Sequence, residues 1–403
     1  MPPTHRHPLT LLAILLATAG NAWAEGGQDL QFRASVGLAN DSNLFRLPAS
    51  ANAQALIGRS SAAETVRITS LGVNYNKAYS LQRVELDVAM VKYSYQNFSY
   101  LDFSALNYRG AWRWSYTPHL RGNLSTSRDQ RLNSFIDFRG FNVRNERVTT
   151  NTRLDGNYEL DANWRLLGGL TQSALKNSLQ ITSEADYRLT TLDGGVRYVL
   201  ASGSSAGYTL RSSDGTYTTN RVIPSPGFFD DRFTQTDNEL LATWAISRDT
   251  SADFRAGHRS RSYPNYPQRN FGGFTGAANI NWSYSPKAGL AAGWAREINA
   301  FETTNTNFSQ TDRFSVGPVW QVSPKAAVRV QLAHEVRDFG GSPSGLARLQ
   351  RRDVTRDASV SMDWQPTTYL SLSASLQNAK RSSSLAGFDY SSNAINVSAQ
   401  FTY

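Results

Sequence analysis

The chain contains no cysteine. That excludes a disulfide scaffold and a thiolate metal site. Long hydrophobic runs are missing too. Past the first 24 residues nothing approaches the roughly 20 apolar residues of a membrane helix. Histidine is scarce, with five residues in all, and His5 and His7 sit at the extreme N-terminus. Lysine is scarce as well: Lys77, Lys92, Lys176, Lys287, Lys325 and Lys380 are the six present. The remaining cations are arginines, which keep their charge and make forked contacts with carboxylates, sulfates and phosphates. They are spread over many segments with no nucleic-acid-binding motif, so a net charge of +9 is not read as a nucleic-acid footprint.

What is present begins with an expected leader. Arg6 supplies a basic n-region, Leu9 to Ala17 an apolar core, and Ala22-Trp23-Ala24 a small-residue cleavage site. Cleavage there makes residues 1–24 a signal peptide and residues 25–403 a single domain. Beyond Ala24 the chain alternates. In residues 147–160 the even positions carry Val148, Leu154, Tyr158 and Leu160, and the odd positions Arg147, Arg153, Asp155 and Glu159. A strand sends successive side chains to opposite faces, so this one has an apolar face and a charged face. The pattern recurs from about residue 30 to the C-terminus. With a secretory leader it predicts an all-β fold, a transmembrane antiparallel β-barrel in the bacterial outer membrane.

Eighteen strands are expected, with sixteen as the alternative. They start near Leu30, Thr65, Arg83, Leu106, His119, Arg147, Trp164, Tyr187, Ala206, Thr234, Ala252, Phe274, Ala288, Arg313, Ala326, Val354, Leu370 and Asn393. Tight turns such as Thr117-Pro118, Asp161-Ala162-Asn163, Ser202-Gly203 and Gln365-Pro366 alternate with longer connections. Short periplasmic turns and long extracellular loops are the expected asymmetry of such a barrel. Aromatics stand just before the short turns, among them Trp112, Trp114, Tyr158, Tyr198, Trp244, Trp282, Trp320 and Trp364. This spacing predicts an interfacial girdle. The last strand alternates Ile395, Val397, Ala399, Phe401 and Tyr403 with polar residues. Its aromatic end resembles the C-terminal signal read by the outer-membrane assembly machinery.

Assigning the apolar positions to lipid leaves the charged ones to the lumen, because a cation at mid-membrane on the lipid side costs a few kcal/mol. The expected lumen path includes Arg109, Arg113, Arg121, Arg153, Arg197 and Arg211. It continues through Arg255, Arg259, Arg313, Arg329 and Arg337, with Tyr93 and Tyr95 as inward aromatic faces able to stack on sugar rings. The arginines either attract anions or pair with neighbouring Asp and Glu to stiffen the wall, and the two readings are compatible. Strand two, with Leu71, Val73 and Tyr75 toward lipid, sends Arg67 outward near the loop end. The first long loop carries an apolar cluster, Asn43, Leu44, Phe45, Arg46 and Leu47. It is either a constriction folded into the mouth or a turn that caps the strand.

No catalytic constellation is expected. His119 lies beside a turn, and His258 and His334 fall on the lipid-facing side. No triad spacing, zinc-helix motif, phosphate loop or dinucleotide fingerprint occurs. No enzyme activity, cofactor or metal is therefore expected.

The segment Asn40-Asp41-Ser42-Asn43-Leu44-Phe45-Arg46-Leu47-Pro48 resembles the N-terminal region of EpsL-type proteins. These are outer-membrane barrels of exopolysaccharide gene clusters associated with the exosortase system of Gram-negative bacteria. The resemblance implies export of an extracellular polysaccharide, acidic ones included, with a periplasmic polysaccharide export protein as partner alongside outer-membrane lipid. Two other readings stay open: a general or anion-preferring diffusion porin for small solutes, and a structural or surface-interaction barrel with a plugged lumen.

Overall fold

The computed structural model describes residues 29–137, 140–179, 186–218, 231–301, 303, 306–341 and 351–403. The expected leader lies outside the described residues. The strands are β1 (Leu30–Asp41), β2 (Glu64–Tyr79), β3 (Gln82–Tyr95), β4 (Phe103–Ser115), β5 (Leu120–Leu132) and β6 (Glu146–Glu159). Then come β7 (Trp164–Asn177), β8 (Tyr187–Val199), β9 (Ser205–Tyr217), β10 (Arg232–Ala245), β11 (Thr250–Ser262) and β12 (Phe271–Ser285). The series ends with β13 (Ala288–Ala300), β14 (Phe308–Ser323), β15 (Ala326–Gly340), β16 (Arg352–Trp364), β17 (Leu370–Ser383) and β18 (Tyr390–Thr402). A short helix, α1 (Ala53–Ile57), lies in the first loop.

All eighteen strands belong to one antiparallel sheet in sequential order, and the sheet closes on itself. Arg33 stands opposite Thr402 and Asp41 opposite Ala394 where β1 meets β18. Closure leaves no free edge, so the backbone groups of each strand find partners on both neighbouring strands. The strand count is as expected, and most starts lie within a residue or two of the expected ones. However, β14 begins at Phe308 and not at Arg313, and β4, β12 and β18 begin at Phe103, Phe271 and Tyr390, because the loop-end aromatics extend the ladders beyond the alternating stretch. Ser80 takes a left-handed φ of 55° in the two-residue turn between β2 and β3, and Gly203 one of 84° between β8 and β9. Strand two has the expected register: Leu71 is 54% exposed on the outer face, and Arg67 shares that face.

The outer wall is apolar and open. Leu86, Met90, Leu106, Leu154, Leu170, Leu192, Leu240, Val316, Leu332 and Leu376 are all exposed there. A surface this apolar and continuous is suited to hydrocarbon, not water. Trp112, Tyr158, Tyr198, Trp244, Trp282, Trp320 and Trp364 stand exposed at the turn end, as the girdle requires. Trp114 differs. Its indole lies over Gly122 of β5, where any Cβ would strike the ring and the Asp155 carbonyl. A Gly122→Ala change should therefore lower barrel stability by about 1 to 3 kcal/mol through overpacking. Denaturant titration of refolded protein checks this, and an unchanged midpoint would show that both Trp114 and the β6 backbone at Asp155 give way without cost.

Candidate functional site

The inner wall is built from arginine and carboxylate. Nine of the eleven arginines expected along the path hold an acid: Arg113 on Glu85, Arg121 on Glu159, Arg153 on Asp193, Arg211 and Arg255 on Glu239, Arg259 on Asp237, Arg313 on Glu335, Arg329 on Asp363, and Arg337 on Asp137. Glu239 is 2% exposed and bridges two of them, at 2.6 Å to Arg211 and 3.1 Å to Arg255. Arg153 reaches across β7 to Asp193 on β8, donating at 2.6 and 2.9 Å. The strand it crosses offers Gly169 there, and a side chain at that position would collide with the guanidinium. Pairing is thus the main work of these arginines.

Arg109 and Arg197 differ from the rest. Neither has an ion-pair or hydrogen-bond partner among the described residues. Arg109 faces Asp87 across the ladder, but Asp87 accepts from Arg33 and Asn74 instead. Arg109 lines a recess of roughly 380 Å³ in the wall with Asn74, Asn76, Ser125, Ser127 and Asn151. Arg197 sits opposite Arg165 near the turn end. It lines a second recess of roughly 320 Å³ with Ser205, Thr243, Asp253, Arg255 and Asn279. Each recess presents an uncommitted guanidinium beside neutral hydrogen-bonding groups and wall carboxylates, Glu85 and Asp87 in the first and Asp253 in the second, and its free N–H groups can donate to a small oxyanion.

The mouth is narrowed by two loops acting together. In the first, the Asn43 side chain accepts from Leu47 N at 2.9 Å and donates to Leu47 O and to Ser391 O, while Arg46 pairs with Asp41 at 2.8 Å. These bonds cap β1 and tie it to β18 at the closure seam. Arg46 takes a left-handed φ of 56°. The turn drives Phe45 and Leu47 inward, where they pack with Ile57 on Val66, Tyr95, Phe98, Leu101, Phe103 and Ala105. The segment therefore caps the seam and packs on the inner wall at the loop end. Phe45 is fully buried, with ring centroids 4.7 Å from both Phe98 and Phe135. Phe45→Ala should cost about 3 to 5 kcal/mol of loop packing. Limited proteolysis of the folded barrel reads this: cleavage within residues 48–63 should accelerate, and unchanged cleavage would contradict the packing.

The same cluster corrects the sugar-stacking expectation. Tyr95 points inward but is 8% exposed beneath the first loop. Tyr93 is stacked on Phe103 at 4.6 Å and is half-buried. The apolar first loop takes the surface that a sugar ring would need.

The loop between β5 and β6 was not expected to matter. Its Phe135 rests on Phe45, and its Asp137 reaches the opposite wall. Asp137 pairs with Arg337 of β15 at 2.9 Å and with Arg351, just before β16, at 2.8 Å. Arg381 of β17 lies 3.5 Å from Asp137 and donates to the Ile136 carbonyl at 2.7 Å. Between β5 and β17 stand β4, β3, β2, β1 and β18, so this contact spans one sector of the mouth. Asp353 takes up remaining charge, at 2.6 Å from Arg351. The Arg351 guanidinium is sandwiched over Phe388 at 3.9 Å and Phe339 at 4.2 Å. Burial pushes the Asp137 carboxyl up, but Arg337, Arg351 and Arg381 outweigh burial and hold it below the usual carboxylate range.

By fold the chain is a porin-like barrel. A family described as putative beta-barrel porin 2 matches residues 242–403. Pseudomonas aeruginosa OccK1 (OpdK) superposes with a TM-score of 0.52 at 12% identity, over 93% of this chain and 99% of that one. A BenF-like porin from Pseudomonas fluorescens Pf-5 gives 0.54 at 11% identity, over 93% and 99%. P. aeruginosa OccK2 (OpdF), solved in complex with glucuronate, gives 0.52 at 11% identity, over 93% and 96%. No curated protein sequence matches the chain.

Proposed function

We propose that this protein is an outer-membrane diffusion channel for small organic anions, chiefly carboxylates. The observation that carries the reading is the pair of uncommitted arginines, Arg109 and Arg197, each in a polar recess of a wall whose other path arginines are neutralised. An unpaired guanidinium facing water attracts an anion and holds it weakly enough to release it, which conduction requires. A closed barrel with a wet, charged interior provides the path. Two barrels of like fold were crystallised with vanillate and with glucuronate, both carboxylates. Each recess has room for a molecule of that class.

Polysaccharide export, implied by the resemblance at Asn40 to Pro48, has less support. That segment clasps the seam and narrows the mouth, and the loop held by Asp137 spans one further sector of it. Matches to porins favour the small-solute reading.

Reversal potential under a salt gradient tests the proposal. Wild-type protein in a neutral bilayer should be anion-selective. Arg109→Ala/Arg197→Ala should move the reversal potential toward zero or to cation preference with the barrel still folded. Selectivity equal in the two proteins would overturn it.

A further inference from the structure

The outer face near the loop end carries a charge arrangement that the channel does not use. His334 of β15, Arg356 of β16 and Lys380 of β17 are consecutive cross-strand neighbours. All three are exposed on the lipid-facing side, without a hydrogen bond or ion pair among the described residues. Like charges directly opposite in a ladder destabilise it. Other cations on this outer face avoid the problem: Arg296 pairs with Asp312 at 2.7 Å and Arg352 with Asp338 at 3.7 Å. Arg67, Lys92 and Arg188 each face neutral cross-strand partners.

Height and shape specify what would neutralise the row. Arg356 stands eight positions beyond the girdle residue Trp364 on the same strand face. At about 3.3 Å per residue and a tilt near 40°, that is about 20 Å along the barrel axis, toward the far edge of an apolar band about 25 Å tall. Beside the row lies a groove of roughly 380 Å³ walled by Phe314, Val316, Leu332, His334 and Arg356, with Ala358 opening its floor. The upper end is cationic and the lower walls are apolar.

We propose that this groove binds a phosphorylated lipid of the leaflet at the loop end, with an acyl chain against Phe314, Val316 and Leu332 and a phosphomonoester between Arg356 and Lys380. The inference rests on the reading of the outer face as membrane-embedded. Arginine and lysine both serve phosphate, arginine through its fork and lysine as a point charge.

The test uses full-length protein refolded into phosphatidylcholine discs containing a small fraction of phosphatidic acid. Native mass spectrometry then counts the phosphatidic acid that stays with the released barrel. Wild-type protein should retain about tenfold more than Arg356→Ala/Lys380→Ala. The charge-matched control Lys287→Ala/Lys325→Ala, at the opposite end, should behave as wild type. Equal retention by wild type and Arg356→Ala/Lys380→Ala, in barrels that insert normally, would overturn the site and leave the membrane reading standing. Inorganic phosphate that displaces the lipid at equal concentration would overturn the part given to the acyl chain. Failure of every protein to insert would remove the membrane reading and the site with it.

Discussion

Replacing Asp137 with alanine should raise single-channel conductance and add rapid flicker. Asp137 holds the loop between β5 and β6 to Arg337, Arg351 and Arg381 on the far wall. Arg351 and Arg381 are 7% and 3% exposed, so the alanine leaves buried cations with Asp353 as their remaining shared anion. Removing one partner of a buried pair costs about 3 kcal/mol, which shifts the docked-to-undocked ratio of the loop by about a hundredfold. Conductance that stays at the wild-type level and noise would show that the loop is held by Phe135 and Phe45 alone. The same latch gives a pH dependence. Its carboxyl is held below the ordinary range, so its contribution is complete above the usual Asp value. It is lost only as pH falls through the lower, folded value. Conductance should therefore stay flat from pH 8 to about pH 5 and rise only below about pH 4. Asp137→Asn should give the acid behaviour at neutral pH.

Glu239→Ala should be among the most destabilising single changes in the wall. Its carboxylate is almost fully buried and accepts from Arg211 and Arg255 on the two strands flanking β10. Arg255 retains Glu297, whereas Arg211 is left with Asp193, its cross-strand neighbour, which already holds Arg153. The expected loss is about 3 to 5 kcal/mol, reduced to the extent that lumen water reaches Arg211. Glu239→Gln, which keeps the shape and one acceptor, should lose less. Urea unfolding in bilayers measures both, and a Glu239→Ala barrel as stable as wild type would mean that the pair contributes nothing net.

The strand count, the turns, the girdle and the inward direction of the arginines were all legible, because a period of two is a local property of the chain. Residues 147–160 alone display it. Burial at Phe45 was legible as well, since an apolar cluster in a polar loop needs a partner. That partner was not legible. Asp137 gives no local sign of its role, and Arg337, Arg351 and Arg381 are 200 residues or more away. Which arginines remain unpaired was hidden for the same reason. It depends on cross-strand neighbours and on details such as Gly169 clearing a path for Arg153. Tyr95 was placed on the correct face but without the loop that covers it.

The most direct measurement is the zero-current potential of the wild-type protein in a neutral planar bilayer under a tenfold salt gradient, before and after adding glucuronate to one side. An open, anion-selective channel whose current glucuronate reduces reversibly is the expected result. A cation-selective current, or none at all, would contradict the account.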